Sequence, residues 1–156
     1  MIELDRLKFR QTHDGRWMQG STHTVEILNH KRRKQIVEKI CNKLSSINFD
    51  TIVCSGISGL LVAPSVSERL NKNILIVRKD NEIKYSPFDY EGTPPSNYII
   101  VDDLVSSGQT IQRILSLMRE EIPSAKCVGF YSYLKDQCFY AEYRNEFQKT
   151  FQVPYI

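Results

Sequence analysis

Asp102 and Asp103 stand side by side at the end of the apolar run Ile99-Ile100-Val101. Beyond Leu104 and Val105 come Ser106, Ser107, Gly108, Gln109 and Thr110. Glycine lets a backbone turn tightly enough for several N–H groups to point inward. The terminus of a following helix adds positive potential, and the hydroxyls of Ser106, Ser107 and Thr110 are further donors. Together these are the parts of a phosphate seat. The paired carboxylates would repel a phosphate, but they accept hydrogen bonds from sugar hydroxyls. A ribose and its 5′-phosphate, held side by side, use the whole segment. A strand-to-helix turn capped by a serine or an aspartate explains one or two of these residues and leaves the others unexplained. Neither a Gly-x-x-x-x-Gly-Lys-Ser loop nor a Gly-x-Gly-x-x-Gly turn occurs, so the competing phosphate motifs do not fit.

Two shorter segments have related chemistry. Ser55-Gly56-Ile57-Ser58-Gly59 combines two hydroxyls with two glycines; a Gly-x-x-Gly of this kind is by itself usually only a tight turn. Arg78-Lys79 follows an apolar run and reads either as a solvated strand end or as a cationic contact for an anion.

The elements that must position these segments follow from hydrophobic period. Ile36, Val37, Ile40, Cys41, Leu44 and Ile47 recur at helical steps, so Lys31 to Ile47 is expected as a helix with one buried stripe. Its run Lys31-Arg32-Arg33-Lys34 suits a solvated face better than a nucleic-acid patch. Thr51-Ile52-Val53-Cys54 reads as a strand buried on both faces. A helix through Leu60, Leu61, Val66 and Leu70 follows, with Pro64 tolerable only in its first turn, and Asn71-Lys72-Asn73 breaks it. Ile74 to Val77 and Tyr98 to Val101 are further buried strands. Gln109 to Glu120 is a helix with Ile111, Ile114, Leu115 and Met118 inward, and Lys126 to Tyr133 is the fourth strand. Residues 80–96, with Pro87, Gly92, Pro94 and Pro95 and no steady period, are expected as one long loop, a length usually reserved for lids or disordered segments. This alternation predicts an α/β fold whose mostly parallel, twisted sheet is flanked by helices. Ligands in such sheets bind at the carboxyl ends of the strands, where segments 55–59, 78–79 and 102–110 all fall. Residues 1–30 and 134–156 lack a clear period and are expected as a small hood, cap or rim.

At 156 residues the chain is expected as a single domain, 1–156, with its core at about 31–133. A hydrophobic fraction of 41% with 25% charged residues excludes a disordered chain. A formal net charge of +3 suits a small anion and is too small to argue for nucleic acid. The first residues alternate charged and apolar side chains unlike a secretory leader, and no run is long enough to span a membrane, so a cytoplasmic location is the expectation. Cys41, Cys54, Cys127 and Cys138 show no Cys-x-x-Cys spacing, and His13, His23 and His30 show no ligand spacing. Neither a zinc cage nor a disulfide framework is signalled.

The stretch from Ile99 to Thr110 resembles the fingerprint of the type I phosphoribosyltransferase family: apolar residues, two acids, two variable residues, two small residues, glycine, any residue, then threonine or serine. Every position fits. The resemblance extends as a pattern of elements over roughly residues 50 to 133. It implies transfer of a 5-phosphoribosyl group from phosphoribosyl pyrophosphate to a nucleobase, with release of pyrophosphate, by a homodimer in nucleotide salvage or synthesis. It further implies that Asp102, Asp103, Val105, Ser106, Ser107, Gly108, Gln109 and Thr110 hold the ribose phosphate. Ser55, Gly56, Ile57, Ser58, Arg78 and Lys79 would hold pyrophosphate, with Asp102, Asp103 and Arg78 as the catalytic set. Magnesium (Mg2+) would be held indirectly by Asp102 and Asp103, through substrate hydroxyls or water. Residues 80–96 correspond to the family's mobile hood loop, with Lys84 and Tyr85 as its substrate contacts. The chain departs from many members in lacking a basic residue in the 55–59 loop. Ser106 stands where hypoxanthine- and guanine-specific members often carry aspartate, which leaves an adenine-like, orotate-like or unfamiliar acceptor. Some relatives keep the fold as non-catalytic sensors of the sugar phosphate that bind nucleic acid or a protein partner. An inactive partner subunit is a third reading.

Overall fold

The computed structural model describes residues 7–11, 17–21, 27–79, 87–105, 107–134 and 141–156. Along them run β1 (Leu7–Gln11), β2 (Trp17–Ser21), α1 (His30–Leu44), β3 (Thr51–Ser55), α2 (Gly56–Leu60), α3 (Ala63–Leu70), β4 (Asn73–Val77), β5 (Tyr90–Gly92), β6 (Asn97–Asp102), α4 (Gln109–Glu121), β7 (Lys126–Ser132) and α5 (Ala141–Phe151). Strands β1 and β2 pair antiparallel as a small sheet of their own, Phe9 opposite Gln19.

The main sheet has the order β5-β4-β3-β6-β7. β3 runs parallel to both β4 and β6, and β6 runs parallel to β7. Every residue of the central strand β3 is buried, as expected for a strand covered on both faces. Alternation along the strands divides the core in two. Ile52, Cys54, Ile99 and Val101 pack with Val37, Ile40 and Leu44 of α1 and with Ala63 and Val66 of α3. Val53, Leu75, Val77, Tyr98 and Ile100 pack on the other face with Ile111, Ile114 and Met118 of α4. At the amino ends, Asp50 accepts from the backbone N–H groups of Ser96 (3.0 Å) and Asn97 (2.8 Å), which fixes the start of β6 beside β3.

The helix caps follow local chemistry. The Asn29 side chain accepts from the N–H of Arg32 and starts α1, whose residues Lys31, Arg32 and Lys34 are exposed. Pro64 lies in the first turn of α3, and Asn71 in the left-handed region ends that helix. Cys41 and Cys54 are buried and Cys127 is half-buried, all as free thiols. No helix among the described residues is long and apolar enough to cross a membrane. His13, His23 and Cys138 lie outside the described residues.

Three expectations are corrected. The helix foreseen from Leu60 to Leu70 is two, α2 and α3, separated by a turn at 61–62. The long loop at 80–96 contains strand β5, which adds antiparallel to β4 with Tyr90 opposite Val77. Three residues at a sheet edge are too few to show a period. Finally, 134–156 is more than a rim. Phe147 is 2% exposed, stacks on Phe130 with ring centroids 4.9 Å apart, and meets Tyr155 edge-on at 5.2 Å. Phe130 donates its N–H to Pro154 (2.8 Å) and accepts from Ile156 (2.9 Å), so the chain's end extends the sheet beyond β7. An uncovered β7 edge would leave unpaired backbone groups. Truncating Phe147 to alanine removes a large buried ring from this cluster. Urea unfolding of the variant is expected to show a loss of about 3–5 kcal/mol, whereas a loss below about 1 kcal/mol would return α5 to the status of a rim.

Candidate functional site

The chain leaves β3 for its neighbour on one side and returns through β6 on the other, so the connections after these two strands diverge. A crevice at such a switch point is where open α/β sheets bind ligands. Here it is a cavity of about 250 Å³ lined by Ser55, Ser58, Lys79, Asp102, Asp103, Leu104, Val105, Ser107, Gly108, Gln109, Thr110 and Ile111. That is just below the roughly 300–1,000 Å³ of drug-sized sites. Most residues expected from the sequence to share one ligand therefore do face one space.

Asp102 ends β6 and is 8% exposed. One of its carboxylate oxygens accepts from the Ser58 hydroxyl (3.0 Å) and from the N–H of Asp103 (2.9 Å). Burial, followed by the neighbouring charge of Asp103, pushes its carboxyl up to about 7, against the pull of those two hydrogen bonds. Asp103 is half-buried and accepts from the N–H of Leu104 (2.7 Å).

At the far end of the segment Gly108 caps α4 with φ of 77°, a left-handed conformation in which a side chain is strained. A Cβ there would also lie 2.6 Å from the Phe151 ring. Gly108 has no side chain to cap α4, the Ser107 hydroxyl accepts from the N–H of Gln109 at 3.4 Å, and Gln109, Thr110 and Ile111 face the cavity. A helix N-terminus with adjacent hydroxyls is an anion seat.

On the opposite wall Ser55, only 3% exposed, has a buried hydroxyl that lacks a partner among the described residues. Gly56 follows at φ of 75°, and a Cβ on it would meet the Lys79 side chain at 2.8 Å from Cε and 3.0 Å from Nζ. The ammonium of Lys79 thus lies against the glycine of a loop that carries no cation of its own. Ile57 is 73% exposed and does not line the cavity.

The structure separates the basic pair. The Arg78 guanidinium lies 2.9 Å from Glu91 on β5, and its carbonyl accepts from Arg113 Nε at 2.7 Å. Successive residues of an extended chain point to opposite sides. The cation that reaches the cavity is therefore Lys79, where the sequence favoured Arg78. Ser106, Lys84 and Tyr85 lie outside the described residues.

Sequence reasoning missed the supports at the end of β7. The Asp102 carbonyl accepts from the N–H of Tyr133 (3.1 Å), and the Asp103 carbonyl accepts from the N–H of Leu134 (3.1 Å) and from the Ser132 hydroxyl. The Tyr133 hydroxyl donates to the Ser58 carbonyl at 2.9 Å. The rule that placed the other segments at carboxyl strand ends applies equally to β7 and would have found them.

Residues 23–153 match the family model described as phosphoribosyl transferase domain. The adenine phosphoribosyltransferase of Mycoplasma capricolum is 28% identical over 130 residues, which are 72% of this chain and 75% of that protein. A transcriptional regulator, GfcR, of Methanococcus maripaludis is 26% identical over 97 residues, 57% of this chain and 47% of the regulator. Among solved structures, the adenine phosphoribosyltransferase of Saccharomyces cerevisiae superposes with a TM-score of 0.64 at 16% identity, covering 97% of this chain and 92% of that one. The orotate phosphoribosyltransferase of Mycobacterium tuberculosis gives 0.65 at 14% identity, covering 96% and 87%. The fold is shared by adenine and orotate enzymes at similar TM-scores, and the family match spans most of the chain. This protein belongs to the phosphoribosyltransferase family of enzymes.

Proposed function

We propose that the chain transfers the 5-phosphoribosyl group of phosphoribosyl pyrophosphate to a ring nitrogen of a nucleobase, with adenine the first candidate acceptor. The observation that carries this reading is the arrangement of one cavity. The N-terminus of α4 stands at one side, two carboxylates in the middle, and the start of α2 with the Lys79 ammonium at the other. A ligand with a phosphate, a diol and a second anionic group uses all three. Ser106, Ser107, Gly108, Gln109 and Thr110 hold the 5′-phosphate, and Val105 lies beneath it. Asp102 and Asp103 accept from the ribose hydroxyls. Ser55, Gly56, Ser58 and Lys79 receive the pyrophosphate, while Lys84 and Tyr85 are the hood contacts. In the reaction the bond from ribose carbon 1 to the pyrophosphate oxygen breaks, and its electron pair leaves with pyrophosphate. A bond from the base nitrogen forms, and the base loses a proton. Positive charge that builds on the sugar meets the two carboxylates, and negative charge that builds on the leaving group meets Lys79.

Magnesium suits this site: Asp102 and Asp103 would hold it indirectly, through substrate hydroxyls or water, in the oxygen surroundings that the ion prefers. Bound there, it would make pyrophosphate a less basic leaving group. Adenine is favoured over orotate by the named relatives, and Ser106 in place of an aspartate argues against hypoxanthine and guanine. Pyrophosphate release with adenine, orotate and hypoxanthine in separate assays tests the reading. Turnover with none of them, together with no calorimetric binding of phosphoribosyl pyrophosphate and magnesium by folded protein, sinks it. Binding without turnover favours the sensor reading.

The separation of the basic pair gives a second expectation. Lys79→Ala should lower kcat by on the order of 10²-fold, the usual loss for a missing transition-state donor, with a smaller effect on binding. Arg78→Ala, which gives up the Glu91 contact on β5 and does not line the cavity, should keep turnover within severalfold. The reverse ranking would restore Arg78 to the cavity. A third expectation concerns pH. Asp102 is fully charged only above its raised value of about 7, so kcat/KM should rise with pH through that region. Asp102→Asn should abolish the rise and lower the plateau, whereas an unchanged rise in the variant would assign the ionisation to another group.

A further inference from the structure

Helix α2 has five residues and ends without enough backbone donors for its own carbonyls. The N–H of Leu61 goes to Ile57 (2.9 Å) and that of Val62 to Gly59 (3.3 Å), which leaves the Ser58 carbonyl to be satisfied from elsewhere. The Tyr133 hydroxyl fills that place from across the sheet, 2.9 Å away. The same residue donates its backbone N–H to the Asp102 carbonyl at 3.1 Å. Between these two anchor points the Ser58 hydroxyl reaches Asp102 Oδ1 at 3.0 Å. Tyr133, Ser58 and Asp102 therefore close a ring of three contacts joining the end of β7, the loop after β3 and the end of β6.

We infer that Tyr133 is a positioning residue: through Ser58 it fastens the Ser55–Gly59 loop to Asp102, so that the pyrophosphate seat and the ribose seat are held at one spacing. The inference rests on the reading of the cavity as a phosphoribosyl-pyrophosphate site. Tyr133 touches no substrate in this role, and it is absent from the cavity lining. Its side chain is well suited to the task. The ring packs in the core with Val101 and Leu134 and is 9% exposed, so the hydroxyl is presented from a fixed base. Burial, then the charges of Asp103 and Asp102, push the phenol well above its ordinary range, so it stays protonated and a donor at neutral pH. The Ser58 hydroxyl can donate to Asp102 only while the short helix keeps its orientation. Loss of the tyrosine hydroxyl frees the loop from that restraint without altering any group that faces the ligand.

The test is Tyr133→Phe, which keeps the ring and removes the donor. In free protein, amides 56–60 should exchange faster than in wild type while those of β3 and β6 keep their protection. Affinity for phosphoribosyl pyrophosphate with magnesium should fall roughly tenfold, the effect of one lost hydrogen bond to a part-buried group. KM for that substrate should rise by a similar factor, and KM for the base should not move. Leu44→Ala, a buried change near the C-terminal end of α1 that belongs to neither the ring of contacts nor the cavity lining, controls for mere loss of stability and should leave both KM values unchanged. On a Ser58→Ala background the tyrosine variant should cost less than it does alone, because the two act in one chain. Wild-type exchange at 56–60 with wild-type affinity overturns the inference, as does an equal loss of affinity in Leu44→Ala. If wild-type protein itself binds no phosphoribosyl pyrophosphate, the proposed function fails instead. The exchange arm alone then decides whether Tyr133 fastens the loop, with unchanged exchange refuting it.

Discussion

A carboxylate at the end of a buried strand has to be hydrogen-bonded, and the demand of Asp102 organises this site. With 8% of its surface exposed and a second acid beside it, Asp102 is held against both desolvation and repulsion. What opposes them is local: the N–H of the next residue and the hydroxyl of Ser58. The second contact matters more for architecture, because Ser58 belongs to the connection that leaves the sheet on the other side of the switch point. Diverging connections would otherwise have no reason to approach each other. The acid proposed to accept from a sugar thus also draws the segment after β3 into position, and a substitution there alters the charge of the cavity and the placement of that segment together.

The distribution of charge follows from strand geometry. A loop of serines and glycines provides donors and close backbone approach but no net charge, and an anion as strong as pyrophosphate calls for a cation. Alternation beyond β4 turns one of two consecutive basic residues toward β5 and the other into the cavity. Gly56, whose φ of 75° strains any side chain, starts α2 with its bare Cα against the mobile end of Lys79. The glycine at the start of α2 and the lysine just past β4 thus meet, although they are far apart in sequence. A guanidinium would grip phosphate at two points, whereas an ammonium on a flexible stem follows a charge as it moves. That mobility suits a group that leaves during the reaction.

Features written in consecutive residues were legible in the sequence, and those that depend on distant partners were not. The parallel sheet, the strand that ends at Asp102, the glycine turn that opens the helix after it and the helix break at Asn71 all follow from local period and turn chemistry. The choice between Arg78 and Lys79 depended on the phase in which β4 ends, which two adjacent cations do not reveal. Strand β5 is only three residues long and is defined by pairing alone. Tyr133 carried no signal of its own, because its partner Ser58 lies 75 positions earlier. Helix α5 did leave a trace in Phe147 and Phe151, four residues apart on one helical face, but their neighbours are polar and the stripe is short.

That C-terminal helix connects the end of the chain to the phosphate seat. Phe151 packs beneath Gly108, close enough that the glycine's missing Cβ is a requirement of packing as well as of backbone conformation. Its ring lies 4.8 Å from Phe147, which in turn stacks on Phe130 of β7. A continuous set of aromatic contacts therefore runs from the sheet edge closed by residues 154–156 to the turn that opens α4. Rigid packing transmits displacement, because close-packed interiors have little free volume to absorb it. The turn that opens α4 is accordingly set from two directions: by β6 through the covalent chain, and by the C-terminal segment through the rings beneath Gly108. On the proposed reading, a site that spaces a phosphate from a diol needs both constraints, since either alone would leave the turn free to tilt about the other.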